Sequence, residues 1–395
     1  MAIFIGHETA LEYWRLHFGG GDISASRRQT VLPVKPPEAG LLQAGITEGL
    51  TFPLHIMLGS QCARRKSQST RQHVFSTATP SGCFLNVGDG LMVSSPEFCF
   101  LQMAEKLPLV KLIELGYELC GTYSRLTAAA PVAAAPVATA PVAAALVAAA
   151  PAGVPTTGST KEPPPPTPAR IDLRAFGQKH DAARFAAHDA AGYVAPYAVP
   201  TEEPMPQARG FNTRPPLTGT KKLEAFLARM PGTRGHQKAA RALRYIVDGA
   251  ASPMEAKLAI FLTLPYKLGG YHFPLPKHNS RIVPGKTAKR SAEKDYYACD
   301  LYWPDFSLGV EYDSDRYHTG SDRIADDSKR RNALAAMGIT VITVTRQQIH
   351  SVQALEKIAR VLAGHMGRRL TFANPSFAAA HRELRKLLAY TNPHF

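Results

Sequence analysis

The sequence predicts an α/β fold in which two unequal halves are joined by a long linker. Three observations predict it: apolar runs alternate with helix-spaced segments after residue 250, acidic side chains end two neighbouring runs, and a tract of Ala, Pro and Val separates the halves. We expect a separate small α+β domain over residues 1–126, a flexible linker over 127–213, a basic helical segment over 214–250 and an α/β domain over 251–395.

The first half is expected to be partly helical. Residues 8–15 have a helix-like pattern, and we interpret His7, Glu12 and Trp14 as an ordinary amphipathic helix face rather than as a site. A second helix begins at Ser95-Pro96-Glu97, with proline in the first helical position and an acid in the first turn. This motif, preceded by a short strand, resembles the core of AbiEi-type antitoxin and transcription-regulator proteins.

The tract between the halves is predicted to be a linker. Residues 127–168 repeat Ala-Pro-Val-Ala-Ala and end in four consecutive prolines, a composition that cannot bury a core and favours extended conformations. Residues 128–155 are apolar over a length that could cross a membrane, but prolines interrupt them repeatedly. We therefore expect no membrane span.

Three helices are predicted after the linker, over residues 221–230, 234–247 and 252–262. The middle helix carries one cationic stripe, because its basic residues recur at three- and four-residue steps: Arg234, Lys238, Arg241 and Arg244. The stripe is either a nucleic-acid-binding element that faces phosphates or a solvated helix surface.

The third of these helices contains an acid with two possible roles. Ser252 is placed to cap the helix and Pro253 takes its first position, so Glu255 fits the partner position of a capping box. A second role for Glu255, as a site residue that faces a metal, is implied only by a family resemblance and does not exclude the capping role.

The remaining segments complete the order α-β-β-β-α-β. Strands are predicted near 281–283, 296–303, 308–312 and 339–345, and helices near 321–337, 352–363 and, on the surface, 375–390.

Three carboxylates and an imidazole are predicted at the ends of two adjacent strands. Asp300 ends one apolar run, Glu311 and Asp313 follow the next, and a tight turn at 304–305 would make the two runs a hairpin; His318 comes shortly after. Closely packed carboxylates raise one another's pKa unless a cation lies between them, and hard oxygen ligands suit Mg²⁺ or Mn²⁺. The acids therefore predict a divalent-metal site, with His318 as a candidate general base.

The charge distribution agrees with a polyanionic partner. The chain has a formal net charge of +15, and residues 209–395 hold 30 basic against 15 acidic residues, whereas residues 1–126 hold 11 against 10. A basic region over 214–290 precedes an acidic one over 293–327. A nucleic acid held beside a metal site requires this arrangement; a solvated basic surface that aids solubility is the alternative.

Together these residues resemble a known family. The acids and His318, followed by the spacing Asp327-x-x-Arg330-x-x-x-Leu334-x-x-x-Gly338 and a closing strand, resemble the very-short-patch-repair-endonuclease-like branch of the PD-(D/E)XK nuclease superfamily over roughly residues 250–365. The resemblance implies a restriction-endonuclease-like αβββαβ core with a mixed sheet flanked by helices.

The resemblance also implies roles for individual residues. Asp300 and Glu311 would hold Mg²⁺, and Asp313 and His318 would take part in activating the attacking water. Glu255 matches the acid that the family carries on its first core helix. One position departs from the family, because Asp313 replaces the lysine that follows the second acid by two residues.

Two residues of the next helix complete the expected site. Lys329 is a candidate replacement for the missing lysine, and Arg330 is expected to orient the site; both are also candidate nucleic-acid contacts.

Two functions of different classes follow. The first is a Mg²⁺-dependent or Mn²⁺-dependent DNA endonuclease acting in DNA repair or in defence against mobile elements and phages, with RNA as the alternative substrate. The second is a non-cleaving nucleic-acid-binding regulator or antitoxin-like protein that retains the nuclease fold. The acids favour the first function and the missing lysine favours the second.

The cysteines and the N-terminus indicate the compartment. Five cysteines are scattered and none are spaced as CxxC, which argues against a disulfide framework and a zinc knuckle. The first residues lack a basic segment before an apolar one and so do not resemble a signal peptide. A cytoplasmic location is expected.

Overall fold

The computed structural model describes residues 2–17, 24–25, 30–38, 42, 47–60, 67–75, 79–125, 210–284, 295–313, 321–370 and 375–389, with the backbone alone described at 24–25 and 321–327. Residues 126–209, which make up nearly all of the predicted linker, lie outside this set, and so does His318. Within the described residues the protein is mixed α/β with mixed sheets.

The first half forms a six-stranded sheet with helices packed against it. The strands are β1 (Ile3–Ile5), β2 (Ser24–Ala25), β3 (Leu54–Leu58), β4 (Thr70–Val74), β5 (Phe84–Asn86) and β6 (Leu91–Ser94), and the helices are α1 (His7–Leu16), α2 (Pro96–Lys106) and α3 (Leu109–Cys120). The strand order is β2-β5-β6-β1-β3-β4, and β1 runs parallel to β6 and antiparallel to β3. The predicted start of α2 is confirmed, because the Ser95 hydroxyl accepts a hydrogen bond from the Phe98 N–H at 3.2 Å.

Residues 211–213, at the end of the predicted linker, form a strand that pairs with the first half of the chain. β7 (Tyr123–Arg125) pairs antiparallel with β8 (Phe211–Thr213), and the Arg214 N–H continues the contact by donating to the Thr122 carbonyl at 2.9 Å. The predicted linker boundary at 213 is therefore wrong by a few residues, because 210–213 have a strand partner.

The second half contains the predicted α-β-β-β-α-β order. Its elements are α4 (Thr220–Ala228), α5 (His236–Leu243), α6 (Pro253–Thr263), β9 (Lys277–Ile282), β10 (Tyr297–Trp303), β11 (Leu308–Asp313), α7 (Ser321–Ala336), β12 (Thr340–Thr345), α8 (Arg346–His350), α9 (Val352–His365) and α10 (Pro375–Ala389). The sheet order is β12-β11-β10-β9.

The predicted hairpin is present in this second sheet. β9, β10 and β11 are antiparallel neighbours, and Trp303 pairs with Leu308 at the turn. β12 returns parallel to β11, so that Glu311 pairs with Thr343 and Asp313 with Thr345.

The separate N-terminal domain that the sequence predicts is not confirmed. Residues 1–132 and 207–395 form one compact unit, and one hydrophobic cluster runs through both halves. The physical reason lies in α3, where every residue after Leu109 is buried. A helix that is buried all round needs partners on every side, and α5 and α6 of the second half supply them.

None of the described helices combines the length and the apolar character that crossing a bilayer requires.

Candidate active site

Glu255 is held at the start of α6 by three hydrogen bonds. The Ser252 hydroxyl accepts from the Glu255 N–H at 3.2 Å, which confirms Ser252 as the helix cap. The Glu255 Oε2 accepts from the Ala251 N–H at 2.8 Å and from the Asn279 Nδ2 at 3.0 Å. The reciprocal bond of the predicted capping box is not formed, because the Glu255 carboxylate accepts from the Ala251 N–H, one residue before the cap, instead of from the Ser252 N–H. The carboxylate is also directed toward β9.

Asn279 is a site residue that the sequence analysis missed. Its backbone has φ of +45°, in the left-handed region that asparagine tolerates better than most residues. Its Nδ2 also donates to the Gly249 carbonyl at 3.0 Å, so the amide connects the loop before α6 to the Glu255 carboxylate. A lone asparagine in a strand has no sequence signal for this role.

Asp300 lies within β10, three residues before its end, rather than closing the strand as predicted. Its Oδ2 accepts a hydrogen bond from the Tyr312 N–H of β11 at 2.7 Å. This bond fixes one carboxylate oxygen across the hairpin. The other oxygen has no hydrogen-bond partner among the described residues, and the same is true of Oε1 of Glu255.

The carboxylates of Glu255 and Asp300 act on each other. Burial, reinforced by the negative charge of Asp300, raises the pKa of Glu255 to about 7. Burial also raises the pKa of Asp300, although the Tyr312 N–H and the Arg330 guanidinium oppose the shift. A buried acid next to a half-buried one, both with raised pKa values, forms a site where a cation would be bound favourably.

His278 on β9 borders the same region. It is buried, its neighbour in register is Leu301, and its ring contacts Tyr117 edge-on with centroids 5.6 Å apart. Burial lowers the pKa of His278 to about 4, so the ring is neutral near pH 7. No sequence pattern pointed to this histidine.

Glu311 forms an ion pair with a cation on α7. Its Oε1 lies 2.5 Å from the Nη2 of Arg330 on α7, and the same guanidinium donates to the Ala298 carbonyl. The structure therefore brings Glu255 to Asp300, and it pairs Glu311 with a cation of its own. The pairing of Glu311 could not be foreseen, because the helix that carries Arg330 packs on the sheet only in the folded chain.

The other predicted site residues occupy varied positions. Asp313 is half-buried at the end of β11, and Lys329 is exposed on α7. His318 lies outside the described residues. Within the part of the chain that the structure describes, no group of three or more His, Cys, Asp or Glu side chains is arranged to hold a metal ion.

The two coupled carboxylates nevertheless fit a hard cation. Mg²⁺ keeps several of its waters and is commonly bound by one or two carboxylates together with substrate phosphates. Glu255 and Asp300 provide two such carboxylates, each with one oxygen held by backbone or amide hydrogen bonds and one available.

The predicted cationic stripe divides into two parts. Arg241 and Arg244 are exposed, and neither forms an ion pair with any described residue. Lys238 is half-buried and donates to the Leu107 carbonyl at 3.0 Å, and Arg234 pairs with Glu105 at 3.2 Å. Two of the four side chains therefore join α5 to the first half of the chain instead of forming one free surface.

Comparison with known proteins identifies no relative of this chain. Neither the family models, nor the curated proteins, nor the solved structures contain a significant match to this chain.

Proposed function

We propose that this chain is a metal-dependent nuclease of the PD-(D/E)XK type that hydrolyses phosphodiester bonds in DNA. The observation that supports the proposal best is a pair of carboxylates with raised pKa values, the buried Glu255 on the first core helix and the half-buried Asp300 on the second core strand. The α-β-β-β-α-β order around them and the four-stranded mixed sheet agree with it.

The chain's own residues would position the reaction as follows. The Tyr312 N–H holds Asp300, and the Ala251 N–H and the Asn279 amide hold Glu255, so that one oxygen of each acid is free to ligate. A bound Mg²⁺ or Mn²⁺ supplies a Lewis acid that polarises the scissile phosphate. Asp313, half-buried on the neighbouring strand, is the candidate base for the attacking water.

DNA would be held by the basic part of the second half. Arg241 near the end of α5 and Arg244 just after it are exposed, whereas Ile246, five and two residues further along the chain respectively, is buried in the core. Phosphate contacts of this kind supply affinity without sequence information. RNA is the alternative polyanion for the same surface.

One observation favours a second function, a nucleic-acid-binding regulator that does not cleave. Arg330 neutralises Glu311, and Asp313 stands where the family carries lysine. A site with one acid paired and the lysine absent would bind nucleic acid and leave it intact.

A plasmid-nicking assay separates the two functions. We expect the purified chain to nick supercoiled plasmid in Mg²⁺ or Mn²⁺ but not in EDTA, and Asp300→Asn to abolish nicking while DNA binding stays equal or becomes tighter. Asp305→Asn is the matched control, because Asp305 is exposed in the turn of the same hairpin. Tight DNA binding by the wild type without nicking would favour the regulator, and neither activity would exclude both functions.

A further inference from the structure

A cavity of about 640 Å³ lies in the first half of the chain, and none of its lining residues belongs to the carboxylate site. His7, His73 and Gln102 line its polar part, and Arg71, Lys106 and Arg234 bring positive charge to it. His7, which begins α1, is thus also one of the residues that line a cavity. Pockets of this volume are typical for small organic ligands.

The imidazoles around the cavity form a connected chain. The rings of His7 and His73 stack with centroids 3.8 Å apart and planes inclined by 24°. The His73 Nε2 lies 3.0 Å from the His55 Nδ1, which in turn lies 2.7 Å from the Glu8 Oε2. Lys106 closes the chain at 2.6 Å from Glu8. These contacts hold the rings in place on three different elements.

His7 is under backbone strain. Its φ is +52°, which is uncommon outside glycine, and its N–H is committed to the Gln102 Oε1 at 2.9 Å. The residue is only 5% exposed, yet its Nδ1 has no hydrogen-bond partner among the described residues. A strained residue that lines a cavity and has an unsatisfied buried nitrogen is more typical of a binding site than of a packing position.

The chemistry of the lining indicates an aromatic anion. Burial lowers the pKa of His7 to about 3 and that of His73 to about 2, so both rings are neutral near pH 7. The Nε2 of His73 is already engaged with His55, so its Nδ1 and its ring surface are the parts left for a ligand. Phe75 adds an aromatic wall. Lys106 already pairs with Glu8 and Arg234 with Glu105, so Arg71 is the lining cation without an acidic partner among the described residues.

We propose that this cavity binds a nucleotide, with its base against the His7, His73 and Phe75 rings and its phosphate at Arg71 and Lys106. The nucleotide can be a free monophosphate or one nucleotide of a single strand, since the two share this chemistry. The proposal does not depend on the nuclease function, because no residue is common to the two sites.

Isothermal titration calorimetry on the full chain tests the proposal, with the four 5′-ribonucleoside monophosphates, adenosine and inorganic phosphate as separate probes. We expect at least one monophosphate to bind, and adenosine and phosphate to bind at least about tenfold more weakly, because each lacks one half of the recognised group. Phosphate that binds as tightly as the monophosphates would overturn the aromatic part of the assignment.

Substitutions locate the binding. Arg71→Gln and His73→Leu should each weaken monophosphate binding by roughly tenfold, whereas Arg360→Gln, an exposed arginine on α9, should leave it unchanged. Arg71 is exposed, so its variant keeps the fold, and thermal melting verifies this. Binding that is unaffected by both substitutions, or that requires added Zn²⁺, would overturn the proposal.

A short oligonucleotide distinguishes the two sources of the nucleotide. It is titrated into an Arg241→Gln/Arg244→Gln background, which removes the other basic surface. Tighter binding than that of the monophosphates identifies a strand as the ligand, and equal or weaker binding identifies the free nucleotide. Absence of binding by monophosphates and oligonucleotide alike would overturn the proposal.

Discussion

At the scale of single residues, the carboxylates of the candidate active site differ in burial and in their charged neighbours. Loss of hydration raises the pKa of both Glu255 and Asp300 above the ordinary value of an exposed acid. Glu311, in contrast, has a guanidinium beside it. The acids that the sequence predicted as one group therefore have different electrostatic surroundings.

Glu255→Gln should stabilise the metal-free protein above about pH 7. The folded pKa of Glu255, about 7, exceeds the ordinary value of 4.5, so its ionisation costs stability as the pH rises from 4.5 to 7. Glutamine removes that cost, which we place at roughly 1–3 kcal/mol above pH 7 and near zero at pH 4.5. The difference in the free energy of unfolding between the variant and the wild type is measured by urea unfolding at pH 8 and pH 4.5.

Glu356→Gln is the control for this experiment, since Glu356 forms an exposed pair with Arg360. An equal effect of Glu255→Gln at both pH values would show that Glu255 ionises normally in the folded protein. Adding Mn²⁺ at pH 8 should remove the advantage of the variant, because the cation stabilises only the wild-type carboxylate.

At the scale of elements, the start of α6 decides the position of Glu255. Ser252 ends the extended backbone before the helix, its hydroxyl accepts from the Glu255 N–H, and Pro253 occupies the first helical position. This is a local arrangement that the sequence predicts well. The direction of the Glu255 carboxylate is set by its hydrogen bond with Asn279, which belongs to β9 and not to this helix.

Ser252→Ala should lower the free energy of unfolding by about 1 kcal/mol, because one helix N–H loses its acceptor. Ser252→Thr keeps the hydroxyl and should lose only a few tenths of a kcal/mol. Thermal unfolding of the two variants side by side makes the comparison. A threonine variant as unstable as the alanine variant would mean that the cap contributes nothing.

The basic residues at α5 have two different roles. Arg241 and Arg244 are proposed DNA contacts, and Lys238 joins the helix to the first half of the chain. Arg241→Gln/Arg244→Gln should weaken DNA binding and reduce the salt dependence of the affinity by up to about 1.8 units of slope, since two phosphate contacts are removed. Lys238→Gln should leave the slope unchanged and lower stability, because Lys238 bonds the Leu107 carbonyl. Fluorescence anisotropy over a range of salt concentrations measures the slope. An identical slope for all three proteins would remove α5 from the interface.

At the scale of the whole molecule, the described halves share one core. Gly116 of α3 allows this contact, because a Cβ at that position would lie 2.1 Å from Cδ1 of Ile246 in the second half. The two halves should therefore unfold in a single cooperative transition.

Gly116→Ala tests this contact directly. In a free helix the change would stabilise by about 1 kcal/mol, but here the clash should lower the melting temperature of the single transition. Combining it with Ile246→Ala should recover part of the loss. Two separate transitions in calorimetry, with Gly116→Ala shifting only one of them, would support the separate domains that the sequence predicted.

The sequence by itself determined the helices, the strands and their order in the second half. Capping residues such as Ser95 and Ser252, the period of the apolar positions and the turn between β10 and β11 are local signals, so they act whatever the rest of the chain does. The sequence also singled out Glu255 and Asp300, because an acidic residue is uncommon within an otherwise apolar segment.

Only the tertiary structure decided which of these residues meet. The Glu255–Asn279 and Glu311–Arg330 contacts, the burial of α3 from both halves and the stacking of His7 on His73 all join segments that are distant along the chain. Burial and pairing arise from packing between elements, and a one-dimensional pattern carries the period of each element but not the partner of each face.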